Sequence, residues 1–417
     1  MLATDFIEAT GGAVTSDDYP PSLRGNLAGL LKGHLYFTRW YLTRLDRETG
    51  LQTRVEIVNS PFFTCRAKEL REGEYVLVVP VGLLCRLYVL AHLLLGHWGQ
   101  DAVYMPVWAT REWRLPPDLE PLFGKVRTAG PRPWWEGLEG LYAQVKMPDF
   151  QYDAECLTIL AFNFLVCHEA AHVYRRHAKA LEAFRLQGVV RDEAEAMVYR
   201  RFAETDADLM GAGLALDLQW VALQNKTDDV PWLGYLRSSY AVTMLYALYD
   251  VHRKELGAYT KGAYCHPVIR RQVFTAASHQ LNDAYPEKFA GLAEAELEGW
   301  MHCGSALHRL NFDVFLGKFG MVSGDTSGCP VSAVQYNLTD SQRWERAYER
   351  ELVLYRAARR IYLENVNFTY LAIPPAADVE RVDRAMLDRA KAADDAVLRT
   401  ALSMLRRESE TSKRDSL

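Results

Sequence analysis

Cysteine is scarce in this chain and its count is odd: Cys65, Cys85, Cys156, Cys167, Cys265, Cys303 and Cys329 are the seven among 417 residues. A disulfide framework needs pairs at regular spacing, so it is excluded, and the thiols read as the reduced side chains of a cytoplasmic protein. Basic excess is missing too. With 48 Lys and Arg against 53 Asp and Glu, the formal net charge is −5, which excludes a nucleic-acid partner held mainly by phosphate electrostatics. The arginines that do gather (Arg343, Arg346, Arg350, Arg356, Arg359, Arg360) interleave with Glu345, Glu349 and Glu351 and predict a salt-bridged helical face. An unbroken apolar run is also lacking. Tyr75 to Gly96 is the one stretch long enough to span a bilayer, but Pro80, Gly82, Arg86 and His92 interrupt it. A buried strand followed by a buried helix is expected there, with no membrane span. Met1 to Gly12 has no basic start with an apolar core behind it, as a secretion signal would. No internal repeat or low-complexity tract is evident.

What is present is globular material, 49% hydrophobic and 24% charged, enough for a large core and two or three units. The expected fold class is α+β, mainly helical. Residues 1–48 read as an N-terminal lead-in ending at the polar turn Arg47-Glu48-Thr49-Gly50. Residues 49–275 read as the main domain, opening with β-rich runs at Val55 to Ile57, Phe62 to Cys65 and Tyr75 to Val79. Residues 105–150 concentrate Trp and Pro, which resist both helix and central strand; they read as an insertion, either a rim over a site or a structural brace. A helical pair is expected from about Asp153 to Leu218, supported by a helix from Leu233 to Leu256. Residues 276–405 predict a helical C-terminal region, and 406–417 a disordered polar tail.

The chemistry-bearing pattern is His168-Glu169-Ala170-Ala171-His172. It sits in a run, Leu157 to Ala183, without proline or glycine, which predicts a helix. On a helix, histidines four apart project from one face about a turn from each other, close enough to hold one metal ion. Glu169 then stands beside the metal. Zn²⁺ would lower the pKa of its bound water from about 16 towards ~7, and Glu169 would take the proton as that water attacks a carbonyl. Paired interface histidines on an amphipathic helix give the same pattern without a metal. Cys167 would point about 100° away from His168 and reads as packing.

A hydrolytic zinc site needs three protein ligands and an open position. The third is sought in Glu204-Thr205-Asp206-Ala207-Asp208. From His172 the chain continues helical to about Gln187, turns at Gly188 and resumes from Asp192. The two arms are nearly equal, each covering about 20 Å at 1.5 Å per residue, so an antiparallel return brings Glu204 level with the histidines. Asp208, one turn on, would accept the second ring N–H of a ligating histidine. Asp206 points to the other side and is the weaker ligand candidate. A solvated acidic face is the alternative for all three.

Together the two motifs resemble the gluzincin metallopeptidases, in the branch whose second motif is E-x-x-A-D: the prenyl-protein and heat-shock membrane peptidases and the soluble bacterial phage-exclusion peptidases. The resemblance implies a zincin-like core with His168, His172 and Glu204 as zinc ligands, Glu169 as general base and Asp208 behind a ligand. The segment Tyr75 to Leu84 is similar to that branch's strand followed by Gly-Leu-Leu, where the strand before the helix forms an edge on which extended substrate pairs. His266-Pro267, followed by Arg270 and Arg271, is similar to its downstream His-Pro and arginine, with the arginine arriving sooner. His266, or Tyr264, would then donate to the oxyanion. The expectation is a zinc-dependent endopeptidase acting on a protein or peptide substrate. Its C-terminal helices would serve as a possible site for a regulatory protein, in a latent effector of antiviral defence or stress. A degenerate relative keeping zinc as a structural prop is the further alternative.

Overall fold

The computed structural model describes residues 3–98, 119–123, 133–223, 231–251, 270, 273 and 274. The C-terminal region, the tail, His266 and Tyr264 lie outside them. The described chain is mainly helical with one small sheet.

Helix α1 (Ala3–Ala9) lies at the start, and α2 (Gly29–Thr49) ends at Gly50 in the left-handed conformation, φ 67°. Strands β1 (Gln52–Val58), β2 (Arg66–Arg71) and β3 (Glu74–Pro80) follow. Their order is β1-β3-β2, with β1 parallel and β2 antiparallel to β3. Two of the three β-rich runs fall on strands. The run at 62–65 does not: it is the loop before β2, whereas β2 itself reads Arg-Ala-Lys-Glu-Leu-Arg, a charged sequence that hides a strand. Charge suits its place, because an edge strand bearing Lys and Arg resists pairing with other chains. The strand just before the helix, β3, is therefore central and not the edge that the resemblance implies; β1 and β2 are the edges.

Pro80 closes β3 and α3 (Val81–Trp98) begins at once. The apolar run from 75 is thus divided between strand and helix, both buried, as its sequence predicts. The buried residue Arg86 explains the charge within it: Nη1 donates to Pro61 O (3.0 Å) and Gly82 O (2.9 Å), and the guanidinium lies 4.6 Å from the Phe63 ring centroid. Helix α4 (Glu136–Val145) buries Leu138, Leu141, Tyr142 and Val145 in the main core. It belongs to the Trp/Pro-rich stretch, whose described residues act as a brace; none of them lines the cleft described below.

Helix α5 (Gln151–Tyr174) is apolar on nearly every face and forms the centre of the core. The stretch Pro148 to Leu186 is, among the described residues, the one helical span long and apolar enough to cross a membrane, and it is mostly buried within the protein. The expected uninterrupted arm from Leu157 to Ala183 is broken. Arg176 takes a left-handed conformation (φ 50°, ψ 39°), and a new helix, α6 (His177–Leu186), starts after it. Gly188 then turns the chain with φ 72°, and Asp192 caps α7 (Glu193–Leu223) by accepting from the Glu195 amide at 2.8 Å. Helix α8 (Pro231–Val251) packs beside α5. The lead-in shares the main core: Leu23, Leu27, Leu31 and Tyr41 belong to the same cluster as α5 and α8.

Candidate metal centre

Helix α7 runs back along α5, and the contact is closest at Gly211. A Cβ there would lie 2.8 Å from both the backbone N and Cα of His168. Only glycine lets the two backbones approach this far, and the approach brings Glu204, two turns earlier on α7, to the histidines. Glu204 Oε2 lies 3.4 Å from His168 Nε2, and Oε1 lies 3.6 Å from His172 Nε2; the two Nε2 atoms are 3.2 Å apart. One atom from each of the three residues falls within 4.8 Å of the others. This group can hold a metal ion.

The donor set fits a divalent cation on its own terms. Glu204 Oε2 is buried and, among the described residues, makes no hydrogen bond; His168 Nε2 at 3.4 Å and Arg270 Nη2 at 3.8 Å face it as charge partners. Burial alone would push the Glu204 carboxyl up, but the two histidines outweigh it and hold it well below the usual carboxylate range. Burial would likewise pull the His168 ring down, yet Asp208 and Glu204 override it and push it up to about 10. The carboxylates thus favour positive charge on the histidine side of the gap. Two imidazoles and a carboxylate are the ligands typical of a catalytic zinc with one position left open.

Asp208 lies where the sequence predicts, with Oδ1 2.9 Å from His168 Nδ1. It is fully buried and held from two further sides. Tyr246 on α8 donates to Oδ1 at 2.9 Å, and Arg270 closes a two-pronged contact through Nε at 2.6 Å and Nη2 at 2.7 Å. The Arg270 guanidinium also stacks 4.9 Å from the Tyr246 ring centroid. Of the residues singled out around His266-Pro267, Arg270 is thus the one the described chain brings to the site.

No family model, curated protein or solved structure matches the chain. The site is therefore read from its own residues.

Asp206 points away from the ligands, as its spacing predicts, but into protein, and is 1% exposed, which rules out the alternative of a solvated face. Its Oδ2 lies 3.2 Å from His177 Nε2 and 3.4 Å from Arg175 Nε. His177 Nδ1 in turn meets His172 Nδ1 at 2.9 Å. Burial, the largest influence, holds His177 down to about 4, against the opposing pull of Asp206. The acidic stretch 204–208 is thus no solvated face: each carboxylate supports a histidine. Sequence reasoning missed His177 because nothing local announces the left-handed turn at Arg176. Gly211 was missed as well, though it left a signal: a glycine inside a helix, three residues past Asp208 and seven past Glu204, on the ligand face.

A cleft of about 1030 Å³ opens onto the triad. β2 and the loop before it form one wall, α5 with the start of α6 another, and α8 contributes Tyr246 and Tyr249. Glu169 lines it beside the ligands. Burial raises the Glu169 carboxyl, while the charges of His168 and His172 pull it the other way. Cys167 is fully buried in the core, away from the cleft, and burial pushes its thiol up.

Proposed function

We propose that the chain is a zinc-dependent peptidase and that this cleft takes an extended segment of a protein or peptide. The observation that carries the reading is the meeting of His168, His172 and Glu204 at one point, with Glu169 next to them, in an open cleft. A structural zinc has no need of a base or of a cleft. Zinc, when bound, would polarise the scissile carbonyl and make a water acidic.

The chain's own residues account for the rest. Glu169 is a carboxylate whose affinity for a proton is raised by burial, the tuning a general base requires. It would remove the proton from the attacking water and deliver it to the leaving amine. β2 is an edge strand among the described residues and lines the cleft, so its outward backbone groups would offer an extended substrate a ladder of main-chain hydrogen bonds. That mode grips peptide backbone without reading side chains. In this reading the edge role that the resemblance gives to the strand before the helix falls to β2 instead.

Glu169→Gln keeps the shape and loses the base. Expected is a protein that binds zinc as the wild type does and cleaves nothing, scored by metal analysis and by new peptide termini in a digested lysate. Full hydrolysis by this variant would overturn the mechanism.

A further inference from the structure

Two buried groups near the triad play no part in the proposed chemistry: His177 and Asp206. We propose that they form a proton-directing relay that fixes the tautomer of His172, and so decides which of its nitrogens can face a metal ion. The proposal rests on the metal reading of the triad and not on peptide hydrolysis.

The direction follows from counting protons along one line of contacts. Asp206 Oδ2 has Arg175 Nε at 3.4 Å, which favours the ionised carboxylate. An ionised carboxylate can only accept, so the proton at the 3.2 Å contact belongs to His177 Nε2. A neutral His177 protonated there carries a lone pair on Nδ1. The 2.9 Å contact between the two Nδ1 atoms then needs its single proton on His172. With Nδ1–H on His172, the lone pair sits on Nε2, the atom that faces His168 Nε2 at 3.2 Å and Glu204 Oε1 at 3.6 Å. The reverse order would set a lone pair of His177 against the charged Asp206.

Backbone and packing hold the relay in place. The left-handed turn at Arg176 ends α5 and opens α6 at His177, whose ring meets that of His172 with centroids 5.0 Å apart. Tyr199 on α7 donates to the His177 carbonyl at 3.2 Å. The two ligating histidines thus receive different support: His168 from a carboxylate, and His172 from a second histidine that relays the preference of a carboxylate. His177 is a positioning residue; it lines the cleft wall but is 4% exposed.

The test uses nitrogen-15 shifts of the imidazoles in the metal-free full chain, together with zinc dissociation constants from chelator competition. In the wild type His172 should be protonated on Nδ1; finding it on Nε2 would overturn the proposal without any variant. His177→Leu removes the acceptor and should shift His172 towards the Nε2–H form and weaken zinc by roughly 10–100-fold, the usual scale for a group behind a ligand. His177→Asn, whose Oδ1 stands near the place of Nδ1, should restore Nδ1–H and most of the affinity. Asp206→Asn should fall between. Equal losses in the Leu and Asn variants, with His172 unchanged, would make His177 a packing residue only. Should the wild type bind no zinc, the metal centre fails, while the nitrogen shifts still decide the relay.

Discussion

Gly211 and Gly213 stand two residues apart on α7, about 200° round the helix, and are opposite in consequence. A Cβ on Gly211 meets the backbone of His168 at 2.8 Å, whereas one on Gly213 meets nothing within 4 Å. Gly211→Ala must push α7 off α5. Expected is a loss of about 1–3 kcal/mol in urea unfolding, as for other overpacked sites, together with weaker zinc binding. Gly213→Ala should instead gain roughly 0.5–1 kcal/mol, because the helix sheds a flexible residue. Equal behaviour of the two would remove the close-approach account. A second residue-scale outcome concerns His92, which is 1% exposed and receives the Met147 amide at 3.2 Å on Nδ1. Burial holds its pKa down to about 4. The unfolded chain takes up this proton near pH 6.5, so the stability it contributes is full above that pH. It is lost as pH falls from 6.5 towards 4, and amounts to something on the order of 3 kcal/mol. His92→Gln keeps an acceptor and cannot titrate, so its stability should fall less steeply over that window.

At the scale of elements, α3 and the loop before β2 are joined through Arg86. Its guanidinium replaces water for Pro61 O inside the protein and lies between Phe63 and Trp134, whose ring centroids are 4.6 Å and 5.7 Å away. Arg86→Met fills similar volume but leaves that carbonyl unpaired. A loss of about 1.5–3 kcal/mol is expected, with faster amide exchange confined to the loop and β2. Uniform exchange across the molecule would mean that Arg86 does not brace the cleft wall. The element scale is also where sequence and structure part. β1, β3 and α3 are legible because apolar alternation and a strand-ending proline are local signals. β2 is not, since an edge strand carries charge and lies where a turn would be read. The arm after His172 reads as one straight helix in sequence, because a left-handed arginine leaves no compositional mark. It holds only where surrounding structure offsets its strain.

For the whole molecule, a metal that binds the native chain and not the unfolded one must raise the melting temperature by mass action. The stabilisation is about 2.7 kcal/mol at a hundred times the dissociation constant. Loading must also displace a proton, since His168 is pushed up to about 10 by its two carboxylates. Apparent zinc affinity should therefore rise with pH from neutrality, by up to about tenfold per unit until that value is reached. Chelator competition at pH 6.5, 7.5 and 8.5 checks it, and a flat profile would remove the proton from the site.

The sequence by itself determined the candidate ligands. Spacing within a helix is a local property, and two histidines four apart with a glutamate beside the first share a face wherever that helix lies. It also determined the turn at Gly188 and pointed to Asp208 as a carboxylate behind one of the two histidines. Only the tertiary structure decided how Glu204 reaches them, through a glycine contact between α5 and α7 instead of two straight arms. It alone gave His172 its support from His177 and Asp206. These are contacts between residues that are near in space because a backbone turn and a helix crossing put them there, and neither is written in the periodicity of the chain.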